Sequence, residues 1–141
     1  MSVKNTLIKK FETYPNNNAD IPLQRKNRHG KSTFSAKLSS EGIEVDNLGG
    51  SPLLKWAVFE ETVELLESLG GSARKGNAYE KLGDDDLTID TIEGHLAKVV
   101  YGVKEGDAVF RRITPISGIL VWAGICQSFT GGLSLNKSKS F

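Results

Sequence analysis

A chain of 141 residues accommodates one domain and excludes two full cores, and its 38% hydrophobic and 25% charged residues exclude wholesale disorder. No apolar run is long enough to cross a bilayer and the N-terminus lacks the apolar stretch of a secretory signal. A single cysteine, Cys126, excludes an internal disulfide or a cysteine-based zinc site; together these features predict a cytoplasmic protein.

The formal charge of +1 is unevenly spread. Residues 1–52 carry eight Lys/Arg against five Asp/Glu, residues 53–109 six against twelve, and residues 110–141 four against none. A polyanion would be attracted to the ends and repelled by the middle.

Residues 1–31 open with a short apolar-basic stretch around Leu7, Ile8 and Phe11. Turn formers follow, and then the basic cluster Arg25, Lys26, Arg28 and Lys31. Without periodicity this segment reads as a basic, flexible N-terminal tail, with 32–141 as the folded domain. Over 33–48, Phe34, Ala36 and Leu38 alternate with polar residues, as do Ile43 and Val45, predicting a hairpin turning at Ser39–Gly42. Over 53–69, Trp56, Phe59, Val63 and Leu66 recur at helical spacing, with Leu65 and Leu69 widening the stripe and Glu60, Glu64 and Glu67 opposite. Ser51 is the expected N-cap, Pro52 the first helical residue, and Gly70-Gly71 the stop.

Residues 78–82 read as a short helix, followed by the loop Gly83-Asp-Asp-Asp. Asp90-Thr-Ile-Glu93 has the form of a capping box opening a helix over 91–101, with Ile92, Leu96, Val99 and Val100 buried. A third helix spans 114–125, with Thr114 as N-cap, Pro115 at the first position and Gly118 permitting close packing. Residues 125–135 then give two short strands around Gly131-Gly132, and 136–141 a polar tail.

Helix, glycine pair, small helix, helix, apolar helix and glycine hairpin is the order of a winged helix-turn-helix. The chain is therefore read as α+β, a winged helix with an added N-terminal β-hairpin. Leu65-Leu-Glu-Ser-Leu-Gly-Gly, Leu120-Val-Trp-Ala-Gly-Ile-Cys and Gly131-Gly-Leu-Ser-Leu resemble the N-terminal domain of Mrr-type restriction endonucleases over roughly residues 53–135. In that family a first helix ends in a glycine pair, and a last helix with Ala-Gly-apolar precedes a glycine-containing wing. The family's Arg-x-x-Trp-Ala lead-in is present only loosely, as Arg111-Arg-Ile-Thr-Pro-Ile-Ser-Gly, and the 33–48 hairpin is an addition. The resemblance implies DNA recognition in a restriction or modification-sensing system, or a small regulator.

Residues for catalysis are lacking. Glu44-Val-Asp46 lies on a suitable strand for a metal-dependent nuclease, but no acid-x-lysine follows it. Asp84, Asp85 and Asp86 cannot all face one ion, and His29 and His95 have no ligand-spaced partners. Phosphate loops, dinucleotide fingerprints and nucleophile elbows are not found. The reading is of a non-enzyme without cofactor or metal.

Candidate contacts to double-stranded DNA are Arg111 and Arg112 before the third helix, where free amides and the helix dipole also favour an anion. Thr114 and Ser117 lie on that helix, Lys104, Arg74 and Lys75 in the flanking connections, and Thr130, Lys137 and Lys139 around the wing. The alternative is a protein-docking winged helix that binds a partner or a second copy of itself, favoured by the acidic middle segment. No membrane contact is expected.

Overall fold

A computed structural model describes residues 2–23 and 29–136. Among them the chain is mixed α+β, with four α-helices and two antiparallel sheets. No helix among them is long and apolar enough to cross a membrane.

The segment expected as a loop forms helix α1 (Val3–Glu12) and strand β1 (Asn18–Pro22). The Ser2 hydroxyl caps α1 by accepting the Asn5 N–H at 3.1 Å, and Lys9 and Lys10 occupy its last turn, where the helix dipole favours cations. Val3, Leu7 and Phe11, each four residues apart, bury one narrow stripe. Asn16 and Asn17 take positive φ in the turn before β1, a conformation asparagine tolerates better than most residues. Ala19 and Ile21 then point into the core while their neighbours face out.

The expected hairpin is present as β2 (Thr33–Leu38) and β3 (Gly42–Val45), with Phe34, Ala36, Ile43 and Val45 buried. It forms the centre of a four-stranded sheet of order β1-β2-β3-β4. Strand β4 (Leu53–Lys55) takes residues expected at the start of the second helix, because pairing of Leu54 with Ile43 holds them extended. Helix α2 therefore runs from Trp56 to Ser68, without a Ser51 cap or Pro52 at its first position. Its Glu60, Glu64 and Glu67 are exposed, as expected; Leu65 is buried but Leu69 is exposed. Gly70 ends α2 at positive φ: its N–H donates to Glu67 O, and that of Gly71 to Leu66 O at 2.7 Å.

Strand β5 (Ser72–Arg74) follows, and then turns through 76–90 in place of the expected 78–82 helix. Those turns are held by long-range backbone bonds, Asn77 N–H to Asp86 O and Leu82 N–H to Asp107 O, which outcompete a helix of barely one turn. Helix α3 (Ile92–Val99) is capped by Thr91, whose hydroxyl accepts the Gly94 N–H at 3.1 Å. Ile92 and Leu96 are buried as expected, but Val99 is 53% exposed.

Helix α4 (Ile113–Trp122) begins one residue before the expected cap and contains Thr114 and Pro115. It closes as α2 does, with Gly124 at positive φ and the Ile125 N–H donating to Leu120 O. The two short strands expected around Gly131-Gly132 are β6 (Cys126–Phe129) and β7 (Gly132–Leu135), which with β5 make a three-stranded sheet of order β5-β7-β6. One core joins α1, both sheets, α2, α3 and α4. A satellite cluster of Leu82, Leu87, Ala97 and Val109 underlies the 76–109 loops.

Helix α4 is packed on both sides. It meets α2 and β6 on one side and β1 on the other. A methyl group at Gly118 would lie 2.9 Å from a Phe34 ring carbon and 3.4 Å from Ile21 Cγ2, so the sheet backs directly onto the helix.

Candidate nucleic-acid interface

A cavity of about 460 Å³ opens between the β1 end, the start of α4 and the β5–β7 edge. Five of the ten expected contact residues line it: Arg74, Lys75, Arg111, Thr114 and Ser117. They come from two regions far apart in sequence that are brought together because α4 packs beside β6.

Arg74 leaves the end of β5 with its guanidinium 4.0 Å from the exposed Asp86 carboxylate and 3.5 Å from Thr88 Oγ1. Lys75 is fixed by its backbone, whose N–H donates to Gly131 O at 2.8 Å and whose carbonyl accepts the Glu93 N–H at 2.9 Å. Its ammonium is 3.3 Å from Ser128 Oγ, toward the wing. Thr114 is exposed, while Ser117 is only 3% exposed and its Oγ has no hydrogen-bond partner.

The adjacent arginines separate. Arg111 reaches the cavity and lies against Tyr79, its guanidinium 5.7 Å from the ring centroid, with Nη1 3.4 Å from the phenol oxygen. Arg112 turns away, lies 3.6 Å over the Tyr101 ring and 4.7 Å from that of Phe110, and does not line the cavity. Its Nη1 also lies 3.4 Å from Phe110 O. Lys104 is exposed in the α3–α4 connection, also away from the cavity. Thr130 lines an adjoining concavity along β6 that shares Lys75 and Gly131 with the first. Lys137 and Lys139 lie outside the described residues, as do Arg25, Lys26 and Arg28; Lys31 lines a further concavity with Arg111, Thr114 and Tyr79.

The amides expected to be free for an anion at the start of α4 are occupied. The Glu93 carboxylate accepts the Arg112 N–H at 3.1 and 3.2 Å from its two oxygens, and bonds the Ile113 amide as well. Glu93 therefore does not complete a capping box on its own helix; it caps the next one. It is 2% exposed, and burial pushes its pKa up to about 7 against the opposing pull of those amides and of Arg112 and Arg111. His95 is half-buried, with Nε2 3.0 Å from Glu61 Oε1. The Cys126 thiol is buried, which pushes its pKa up to about 12 and makes it a poor nucleophile. Among the described residues, no three His, Cys, Asp or Glu side chains converge to hold a metal ion.

Two contributors escaped the sequence reading. Tyr79 is 85% exposed and lines two of the cavities. Its only sequence signal is an aromatic residue within a Gly- and Asp-rich loop, which the short-helix reading of 78–82 obscured. Glu93 was read as a local cap, although its partners lie nineteen residues further on. Comparison with family models, with curated proteins and with solved structures gives no match.

Proposed function

We propose that residues 56–135 form a winged helix and that the chain is a cytoplasmic DNA-binding module without catalytic activity. The element order α2-β5-α3-α4-β6-β7 and the sheet order β5-β7-β6 support the winged-helix reading. The likeness to the recognition domain of Mrr-type restriction enzymes suggests a restriction or modification-sensing role.

The observation that carries the DNA reading is the convergence of Arg74, Lys75 and Arg111 with the hydroxyls of Thr114 and Ser117 on one cavity. The mode of contact differs from that of a recognition helix inserted into the major groove. Most of α4 is buried and its β1-facing side is covered, leaving Thr114 as its one fully exposed residue. Affinity then comes from phosphates gathered at the cavity rim and wing, and is sequence-tolerant.

Fluorescence anisotropy with labelled duplexes, unmodified and cytosine-methylated, at low and high salt tests this. Binding that weakens steeply with salt is expected, because phosphate contacts release counterions; a preference for the methylated duplex would support the restriction-system likeness. Absence of binding at micromolar protein and low salt would overturn the DNA reading. The second reading, docking of a protein or a second copy, is favoured by the exposed Glu60, Glu64 and Glu67 face of α2. A salt-insensitive oligomer or complex would identify it.

A further inference from the structure

We infer that the cavity beside α4 takes unpaired DNA, with a base stacked on Tyr79 and the flanking phosphates on Arg74, Lys75 and Arg111. This rests on the DNA reading above and specifies the form of the DNA.

Three observations converge. First, the surface is concave where duplex readout needs a protruding element. Two cavities of about 460 and 740 Å³ share Tyr79, Arg111 and Thr114, and so form one trough with Tyr79 on the boundary between them. Each volume falls within the roughly 300–1,000 Å³ of small-ligand pockets. A helix that would enter a major groove is closed off, since β1 and Phe34 back onto α4.

Second, Tyr79 is a large aromatic residue that the fold exposes rather than buries, and its position is built. The Tyr79 N–H donates to Asn77 Oδ1 at 3.1 Å, the Glu80 N–H to Asn77 O at 3.0 Å, and the Asn77 N–H to Asp86 O at 2.8 Å. The Arg111 guanidinium, 5.7 Å from the ring centroid, sets a cation beside the aromatic ring. Exposed aromatic rings beside cationic side chains bind successive unpaired bases in a sequence-tolerant way, whereas paired bases have no free face to offer.

Third, the Ser117 hydroxyl lies in the cavity wall, 3% exposed and without a hydrogen-bond partner. A buried polar group left unpaired calls for an explanation, and a base edge or phosphate oxygen held in the cavity supplies its partner. Asp86 on the same wall disfavours a densely charged occupant and limits the phosphates to the cationic rim.

The test is anisotropy of the full chain with four labelled probes: a thymidine twelve-mer, a duplex, the same duplex with a central three-base mismatch bubble, and a uridine twelve-mer. Tyr79→Ala and Tyr79→Phe are measured alongside, with melting temperatures to check folding; an exposed ring should leave those unchanged. The twelve-mer and the bubble are expected to bind about tenfold more tightly than the duplex. Tyr79→Ala should remove most of that margin, and Tyr79→Phe should retain it, because the ring face and not the hydroxyl does the stacking. Salt-sensitive duplex binding with no preference for unpaired DNA, or a preference indifferent to Tyr79→Ala, overturns this inference and leaves the DNA reading standing. Tighter binding of the uridine strand reassigns the trough to RNA and overturns it. Failure to bind any of the four overturns both.

Discussion

Glu93 is a carboxylate placed where the polypeptide has two amides to satisfy and no water to help. Its two oxygens hold the start of α4 from α3, so one side chain fixes the angle between the helices and the position of the loop carrying Arg111. Burial nevertheless disfavours its charged form, and its pKa is raised to about 7. A carboxyl with a folded-state pKa above its unfolded value stabilises the fold when protonated. That contribution is fully present below about pH 4.5 and lost as pH rises through about 7. The group should thus cost up to about 3 kcal/mol of stability between pH 5 and 8. Urea unfolding at both pH values should show this decline, and Glu93→Gln, neutral throughout, should flatten it. An equally steep decline in the variant would mean that another group titrates. At Gly118 the opposing surface is a buried ring rather than a flexible chain, so Gly118→Ala should destabilise by about 1–3 kcal/mol through overpacking, despite alanine's better helix propensity. A stability equal to the parent's by the same urea measurement would show that Phe34 yields freely.

Helix α1 has little intrinsic support: ten residues, no acid in its first turn and three buried side chains. Its stability comes from tertiary contacts, above all from Phe11, which is fully buried and whose ring centroid is 4.9 Å from that of Trp122 on α4. Lys10 lies 5.2 Å over the other side of this junction, on the Trp122 ring. Phe11→Ala should therefore cost about 3–5 kcal/mol in global unfolding. If it left the midpoint in place, α1 would be an independent appendage. The 76–90 segment is the converse case. Ala78 and Leu82 are spaced for a helix, yet Leu82 packs with Leu87, Ala97 and Val109 as a plug under the loops. That arrangement frees Tyr79 to stand outward.

Among the described residues, cations from distant segments are sorted onto one surface, which Asp46 and Asp86 share. Glu60, Glu64 and Glu67 of α2 face solvent, while cations from β5, the α3–α4 connection and the 29–33 region meet around α4. The two adjacent arginines provide a direct test of this sorting. Arg111→Ala should reduce the salt slope of DNA binding by about one contact and leave stability almost unchanged. Arg112→Ala should do the reverse, keeping DNA affinity while losing about 0.5–2 kcal/mol of stability with its stack on Tyr101. Parallel anisotropy and thermal melts distinguish them; an exchange of the two effects would refute the assignment.

What could be read without coordinates was whatever short-range chemistry fixes. The alternation of Phe34, Ala36, Ile43 and Val45 specified a hairpin, the Trp56-to-Leu66 stripe a helix, Gly70 its end and the 131–132 pair a turn, since each depends on neighbours a few residues away. Arg74, Lys75, Arg111, Thr114 and Ser117 were recognisable by residue type and by their places beside the strand and helix termini. Their convergence on one cavity was not, nor was the choice of Arg111 over Arg112. The covering of α4 by β1 and Phe34, the capping of α4 by Glu93 and the outward stance of Tyr79 were hidden for the same reason. Each is set by partners distant along the chain, and local periodicity carries no record of which distant surface a side chain will meet.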